Sequence, residues 1–399
     1  AGLVIMATEL SKQIKDHIVG LKEEMIGFLM ELTKMESPSL IPETQRPVQE
    51  FLKEPLEGLG FQVELVPGNK TGGHLYAEHA TVTRSGTPRQ LLLGHTDTVW
   101  PIGTVKQMPV IWDKEEDVVK GPGIFDMKGG ITQLIFALKT IHDLGHNPQL
   151  TPTVLLNSDE EIGSEESHPY IEKYAKRSDR VFVMEPALGL DGLIKTTRRG
   201  VGQFTVKVIG KAAHSGLAPE QGASAIQEMS HVIQKLHSLN RPEEGLGINV
   251  GTVSGGTRAN VIAAECSAVV DVRVSSQSQV GWIEQEIRSL KPTVPGTTLE
   301  ISGGVDRAPM ESNTRNTELW NAFQNCGRSL EIELVGGQSG GASDGNITSL
   351  HTATLDGLGS VGDGAHALHE FICANGLLER TTLLALAILL PKNLSDQGN

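Results

Sequence analysis

Three apolar runs in the first half of this chain stop abruptly at ionisable side chains, and that pattern constrains the fold more than any other feature. Gln90–Leu93 leads into His95 and Asp97, Thr153–Leu156 into Asp159, Glu160 and Glu161, and Arg180–Met184 into Glu185 and Pro186. These short runs, with a further one at Phe61–Val66, alternate with segments of helical periodicity such as Gly130–Leu144. The rhythm predicts an α/β fold whose mainly parallel, mixed sheet is covered by helices. An open sheet of this kind binds its ligands outside the carboxyl ends of the strands, which is where His95, Glu160 and Glu185 fall. Upstream, Ile14, Ile18, Leu21, Met25, Phe28, Leu29 and Leu32 recur at helical spacing, so Leu10–Met35 is expected to be one long amphipathic helix.

At 399 residues the chain exceeds what one hydrophobic core usually organises, so two domains are expected. The pattern changes between residues 196 and 305 to strand, helix, strand, strand, helix, strand, including strands at Phe204–Ile209 and Cys266–Val274. One helix there carries Ile226, Met229, Ile233 and Leu236, the other Ile283, Ile287 and Leu290. The βαββαβ order predicts a ferredoxin-like α+β layer. Residues 306–399 resume the earlier rhythm, and their polar motifs near Asp344 and His366 would complete a site begun before residue 190. Residues 196–305 therefore read as an insertion, with 1–195 and 306–399 as two segments of one domain.

Charge and composition exclude several function classes. A net charge of −14 without any cluster of Lys and Arg argues against a nucleic-acid partner, since binding that backbone requires concentrated positive charge. Cys266, Cys326 and Cys373 are odd in number and widely spaced, as expected of reduced thiols. The longest apolar run, Leu383–Leu390, is far shorter than the roughly 20 residues that span a bilayer, so no membrane partner is expected. The N-terminal Ala-Gly-Leu-Val-Ile-Met lacks a basic leader, which favours a cytoplasmic location, or a periplasmic one if a leader has been removed.

The polar motifs carry the chemistry. His95 and Asp97 are spaced i and i+2 at a strand end and point the same way. A metal-bound His commonly gives its second ring N–H to a carboxylate or carbonyl; Asp97 suits that role, or the support of another part of the site. Gly121-Pro-Gly-Ile-Phe-Asp126-Met-Lys-Gly-Gly lacks both the Lys-Ser/Thr ending of a phosphate loop and a dinucleotide fingerprint, and its acid would repel phosphate. Asp126 works instead as a carboxylate bridging two cations, whose charge offsets the cost of burying it, or more simply as a helix cap. Asp159, Glu160 and Glu161 pack three acids at the end of an apolar strand. Adjacent side chains diverge, so Glu161 can hold metal while Glu160 faces water and removes its proton. On a surface loop the same run would merely be solvated. Glu185 supplies another strand-end acid. In Gly362-Asp-Gly-Ala-His366-Ala-Leu-His369-Glu370 either histidine suits a second metal shell, and spacing alone does not choose. Oxygen-rich shells with one His per ion, a shared Asp and an uncommitted Glu are what a two-metal hydrolase requires.

Taken in order, His-Thr-Asp, Gly-Pro-Gly-x-x-Asp-Met-Lys-Gly-Gly, Asp-Glu-Glu-x-Gly-Ser, Glu-Pro and Gly-Ala-His resemble the dizinc aminoacylase and glutamate carboxypeptidase family of metallopeptidases, over nearly the whole chain. The resemblance implies a zinc-peptidase-like catalytic domain with an inserted dimerisation lid, hence a homodimer. It implies two Zn2+ per subunit, with Co2+ or Mn2+ as substitutes: one ion on His95 and Glu185, the other on Glu161 and His366, and Asp126 shared. It further implies Glu160 as general base, Asp97 as support of the metal centre, and His214 of Lys211-Ala-Ala-His-Ser-Gly as the lid histidine that polarises the scissile carbonyl. Arg258-Ala-Asn260, Asp271-Val-Arg273 and Asp306-Arg307-Ala-Pro-Met make bacterial glutamate carboxypeptidase the nearest in appearance. Arg307, Asn260 and Arg273 are then candidates to grip a substrate carboxylate, although Arg273 equally suits packing within the lid. Ser343, in the glycine-rich run from Gly337 to Asn346, adds main-chain N–H groups beside the site.

The implied activity is hydrolysis of an amide next to a C-terminal carboxylate, on small peptide or N-acyl-glutamate and folate-type substrates. An N-acyl amino-acid deacylase and a dipeptidase or aminopeptidase are rivals within the enzyme class. A metal-binding scaffold without catalysis is the rival outside it, and the retained Glu160 argues against that reading.

Overall fold

Period-two alternation in three neighbouring strands separates two cores. In the computed structural model, which describes residues 2–82 and 86–397, Leu92, Val154, Leu156 and Phe182 enter one apolar cluster, while Leu91, Leu93, Leu155, Val181 and Val183 enter another. Successive strand residues face opposite sides of a sheet, so a strand buried on both faces reads as an unbroken apolar run. The sheet has six strands in the order Phe61–Val66, His74–His79, Thr151–Asn157, Arg89–His95, Arg180–Val183, Ala353–Leu355. The last four are mutually parallel, with Leu93 opposite both Leu155 and Val183, and His74–His79 runs antiparallel to both of its neighbours, Phe61–Val66 and Thr151–Asn157.

The first core lies under helices Gly129–Asp143 and Ala374–Ile388, both apolar nearly all round and buried along most of their length. Arg180 is buried beside them, and its guanidinium donates to the carbonyls of Ala387, Leu390 and Pro391 and to Gln90 Oε1. A cation at the carbonyl end of a helix satisfies acceptors left without intrahelical partners. The expected single helix over Leu10–Met35 is instead two helices, Gly2–Gly20 and Lys22–Lys34, with Leu21 between them at φ −96°, ψ 4°. Gly20 weakens the helix there, and the break lets both Ile14 and Ile18 on one side and Ile26, Leu29 and Leu32 on the other enter the same core.

A second, antiparallel sheet joins Gly362–Asp363, Phe371–Cys373, Val118–Lys120 and Ile111–Asp113. No strand in it exceeds three residues, too few for periodicity to register in the sequence. It nevertheless ties the loop at 121–128 to the loop at 364–370.

The chain divides into one compact unit of residues 1–197, 312–338 and 343–399 and another of residues 198–311 and 339–342. The latter holds a four-stranded antiparallel sheet ordered Gly247–Gly255, Glu265–Val274, Gly200–Ile209, Thr298–Arg307. Helices Ala225–Ser238 and Gln277–Arg288 bury Met229, Val232, Leu236, Ile283 and Ile287 against it. Ser224 and Ser276 cap them by accepting the N–H groups of Gln227 and Gln279. The sequential and spatial orders together make this the expected ferredoxin-like layer. Ile226, grouped by spacing with the buried face, is half exposed. Among the described residues no helix is long and apolar enough to cross a membrane.

Candidate metal centre

The end of one strand and four loops that follow strands of the first unit bring six side chains together. His95 closes the strand Arg89–His95, and its ring is fully buried. Its Nε2 lies 3.0 Å from Glu185 Oε1, 3.3 Å from Asp126 Oδ1 and 3.5 Å from Glu160 Oε2. His366 Nε2 lies 3.1 Å from Asp126 Oδ2 and 3.1 Å from Glu161 Oε2. Three groups of donors lie close enough to hold a cation, His95-Asp126-Glu185, Asp126-Glu161-His366 and His95-Glu160-Glu161; the first two share Asp126 and together need only five of the six side chains. His369 stands apart, exposed and paired with Asp363 at 3.3 Å. Tertiary placement thus makes the choice between the two histidines that spacing left open.

Each side chain is placed by its local backbone. The loop carrying Asp126 passes through left-handed Gly123 at φ 78°, leaves helical geometry at Asp126 and Met127, and has a cis Asp126–Met127 peptide. His366 itself is left-handed at φ 61°, an uncommon conformation for a residue with a Cβ. Asp97, whose role the sequence left between two options, divides its work. Its main-chain oxygen faces His95 Nδ1 at 2.9 Å and its carboxylate Oδ1 lies 3.3 Å from the same nitrogen, so both orient the ring, while the carboxylate also accepts the N–H groups of Glu160 and Glu161 and the Ser39 hydroxyl.

Electrostatics report the excess of negative charge. Burial by itself would lower His95, but Glu185, Glu160 and the bonds to Asp126 and Asp97 hold it well above the ordinary imidazole value. Bonds to Asp126 and Glu161 raise His366 to about 10. Burial, then the charge of Glu185, drives Glu160 well above the usual carboxylate range, and burial takes Glu161 to about 7. Four carboxylates converge on two imidazoles, and buried like charges at this spacing require cations. His95 Nε2 and Asp126 Oδ1 are buried without a hydrogen-bond partner. Lone pairs left unpaired among carboxylate oxygens about 3 Å away fit ligands of a shared divalent ion, whose nitrogen and oxygen donors at about 2.0–2.2 Å would be spaced roughly this far apart.

Beneath the acids, Asn157 donates to Asp344 and Ser167, Ser164 donates to Asp344, and Asp159 accepts the Ser167 N–H. The sequence singled out Asp344 only as a polar motif; this network shows it fastening the loop that bears Glu160 and Glu161. Ser343 is corrected as a substrate contact: it is buried, and its hydroxyl donates to Asp356 while accepting the Gly345 N–H. Its main-chain N–H is likewise spent, on Asn346 Oδ1.

The remaining candidates lie in the second unit. His214 Nδ1 accepts the N–H groups of Gly216 and Leu217, both at 3.1 Å, which leaves the ring proton of the neutral form on Nε2. Asn260 adjoins it, its carbonyl accepting the Ser215 N–H, and is exposed. Arg273 makes the packing contacts that were one of its two readings: its guanidinium is held by Asp271 at 3.0 and 3.4 Å and reaches the Gly340 carbonyl at 3.3 Å. Arg307 is half-buried at the end of the strand Thr298–Arg307.

Comparison with known proteins agrees with this architecture. Residues 196–302 match a family model described as a peptidase dimerisation domain. Carboxypeptidase G2 of Pseudomonas sp. (strain RS-16) is 27% identical over 349 residues, covering 85% of this chain and 82% of that protein. Aminopeptidase PepT of Bacillus cereus superposes with a TM-score of 0.78 at 19% identity, over 94% of this chain and 99% of that one. YXEP of Bacillus subtilis, described as a dinuclear metal-binding peptidase of the M20 family, superposes at 0.68 and 15% identity, over 93% and 98%.

Proposed function

We propose that this chain is a metal-dependent hydrolase of the M20 peptidase family, one that uses two divalent cations, zinc by preference, to cut an amide next to a C-terminal carboxylate. The observation that carries the reading is the double engagement of Asp126, with one oxygen 3.3 Å from His95 and the other 3.1 Å from His366. His95 and Glu185 would complete the shell of one ion, Glu161 and His366 that of the other. Nitrogen and oxygen donors of this kind suit Zn2+ and tolerate Co2+ or Mn2+. When bound, such cations polarise a carbonyl as Lewis acids and lower the pKa of water from about 15.7 toward neutrality.

The residues of this chain do the rest. Glu160 lies outside the two triads that share Asp126, stands 3.5 Å from His95 and takes the proton of the attacking water. It then delivers that proton to the departing amine nitrogen. Asp97 holds the main chain of Glu160 and so aims its carboxylate. His214, with its ring proton on Nε2, donates to the carbonyl oxygen as it gains charge. Arg307 and Asn260 grip the substrate's C-terminal carboxylate and orient the amide. Residues 196–302 pair two subunits, giving a homodimer.

The likeness to carboxypeptidase G2 supports the carboxypeptidase reading, and within it the proposed substrates carry a C-terminal glutamate, of N-acyl-glutamate or folate type. Hydrolysis of a panel of N-acyl amino acids, dipeptides and amino-acid amides by zinc-loaded protein tests this. Preference for a free C-terminal carboxylate supports the proposal; a requirement for a free α-amine would make the enzyme an aminopeptidase or dipeptidase. Equal use of N-acetyl amino acids with varied side chains would make it a general deacylase.

A further inference from the structure

We infer that Glu370 is the positioning residue of this metal centre, clamping the loop that carries Asp126 to the loop that carries His366 so that the two triads assemble together. The inference rests on the two-cation reading above. Glu370 is only 1% exposed, yet it lies in neither triad. Its Oε1 accepts Trp100 Nε1–H at 2.8 Å and the Gly123 N–H at 3.0 Å; its Oε2 accepts the N–H groups of Phe125 at 2.9 Å and Asp126 at 3.1 Å. Its own carbonyl accepts the Gly121 N–H at 3.3 Å. One residue therefore holds the main chain of the 121–126 loop at four places, including Asp126 itself.

Those bonds decide geometry rather than chemistry. An ionised carboxylate offers about four lone-pair directions, and four N–H donors use them, leaving none for a cation, a water or a substrate. Bonds from N–H groups to a charged acceptor are roughly twice as strong as neutral ones, and the loop they fix has little regular structure of its own. On the other side, Glu370 ends the turn that presents His366: its N–H donates to the Ala367 carbonyl, and the Ala367 N–H to that of Gly364. The His366 side chain is 53% exposed and its backbone is left-handed at φ 61°, so its position depends on the anchoring of this turn rather than on packing. A metal shell tolerates ligand displacements of only about 0.2 Å, and moving the main chain at Asp126 displaces the one ligand common to both ions.

Glu370→Gln tests the clamp. The amide preserves size but offers one carbonyl oxygen, and turns an NH2 group against the other pair of donors. Zinc titration of the metal-free full chain against a competing chelator should show wild-type protein taking up two ions. Glu370→Gln should bind both roughly 10- to 100-fold more weakly, with amide exchange accelerated at residues 121–128 while the strand Arg89–His95 keeps its protection. At saturating metal its kcat should recover toward wild type with KM unchanged, as expected of a residue that acts on metal placement alone. Trp100→Phe removes one of the four donors and should weaken both ions roughly two- to fivefold; if Glu370→Gln fails to fold, that variant decides the matter. Wild-type affinity in either variant, or weakening confined to one ion, overturns the inference while leaving the two-cation reading intact. Wild-type protein that takes up no divalent ion overturns that reading and this inference with it.

Discussion

Asp126 and His366 stand 240 positions apart in the chain, and their side chains meet at 3.1 Å. The contact closes one of two triads, and the other oxygen of Asp126 closes the second with His95. Asp126→Ala should therefore remove a ligand from both ions, whereas His366→Ala or Glu185→Ala should impair one. Elemental analysis after dialysis against micromolar zinc should find close to two ions per wild-type chain, one for either single-shell variant, and fewer than one for Asp126→Ala. Two ions retained by Asp126→Ala would remove the bridging role.

Glu160 is separable from metal binding. Glu160→Gln keeps the bonds its main chain makes to Asp97 and loses only the ability to accept and return a proton. Both metals should remain bound while kcat falls by about 10²- to 10⁴-fold, the range typical of a lost general base. A metal-loaded Glu160→Gln enzyme with near-normal turnover would refute the assignment.

Arg180 bears on stability and not on chemistry. Arg180→Met leaves the Ala387, Leu390 and Pro391 carbonyls without their donor, and the buried acceptors should cost about 3 kcal/mol of unfolding free energy. Arg180→Lys should restore only part, because an ammonium cannot reproduce the planar fork of donors. Urea denaturation midpoints measure both; equal stability of the Met variant and wild type contradicts the capping role.

His74 links stability to acid. Burial pulls its imidazole down to about 4, against the opposing charge of Glu166, and its ring packs 4.3 Å from that of Tyr170. The folded value is depressed below the ordinary imidazole value of 6.5, so the unfolded chain binds the additional proton as pH falls from 6.5 toward 4. Stability attributable to this residue is fully present above pH 6.5 and is lost across that window, by about 3 kcal/mol at its acid end. His74→Phe, which keeps an aromatic ring beside Tyr170, should flatten the fall in unfolding free energy between pH 7 and pH 5. An unchanged slope would show that His74 is not the group responsible.

The strand ends were readable because an apolar run that stops at an acid or a histidine is a local pattern, complete within about eight residues. His95, the three acids at 159–161 and Glu185 each declared themselves in this way, as did the βαββαβ order of residues 196–305. The break at Leu21 escaped because helical periodicity continues in phase through a bend whose two halves feed one core. The short strands at 111–113, 118–120, 362–363 and 371–373 escaped because two or three residues carry no period.

What the sequence determined by itself was the α/β architecture, the ferredoxin-like insertion and the side chains able to bind metal, since periodicity and residue chemistry are properties of neighbours in the chain. Spacing left His366 and His369 open and only the family resemblance favoured His366; the tertiary structure places His366 against Asp126, and it alone decided that Asp97 holds both the acids and His95, that Ser343 and Arg273 make internal bonds, and that Glu370 seals the 121–126 loop. The contacts of Asp126 with His366 and Glu370 join groups 240 and 244 residues apart at hydrogen-bond distance. The fold as a whole sets such distances, and no local pattern records them.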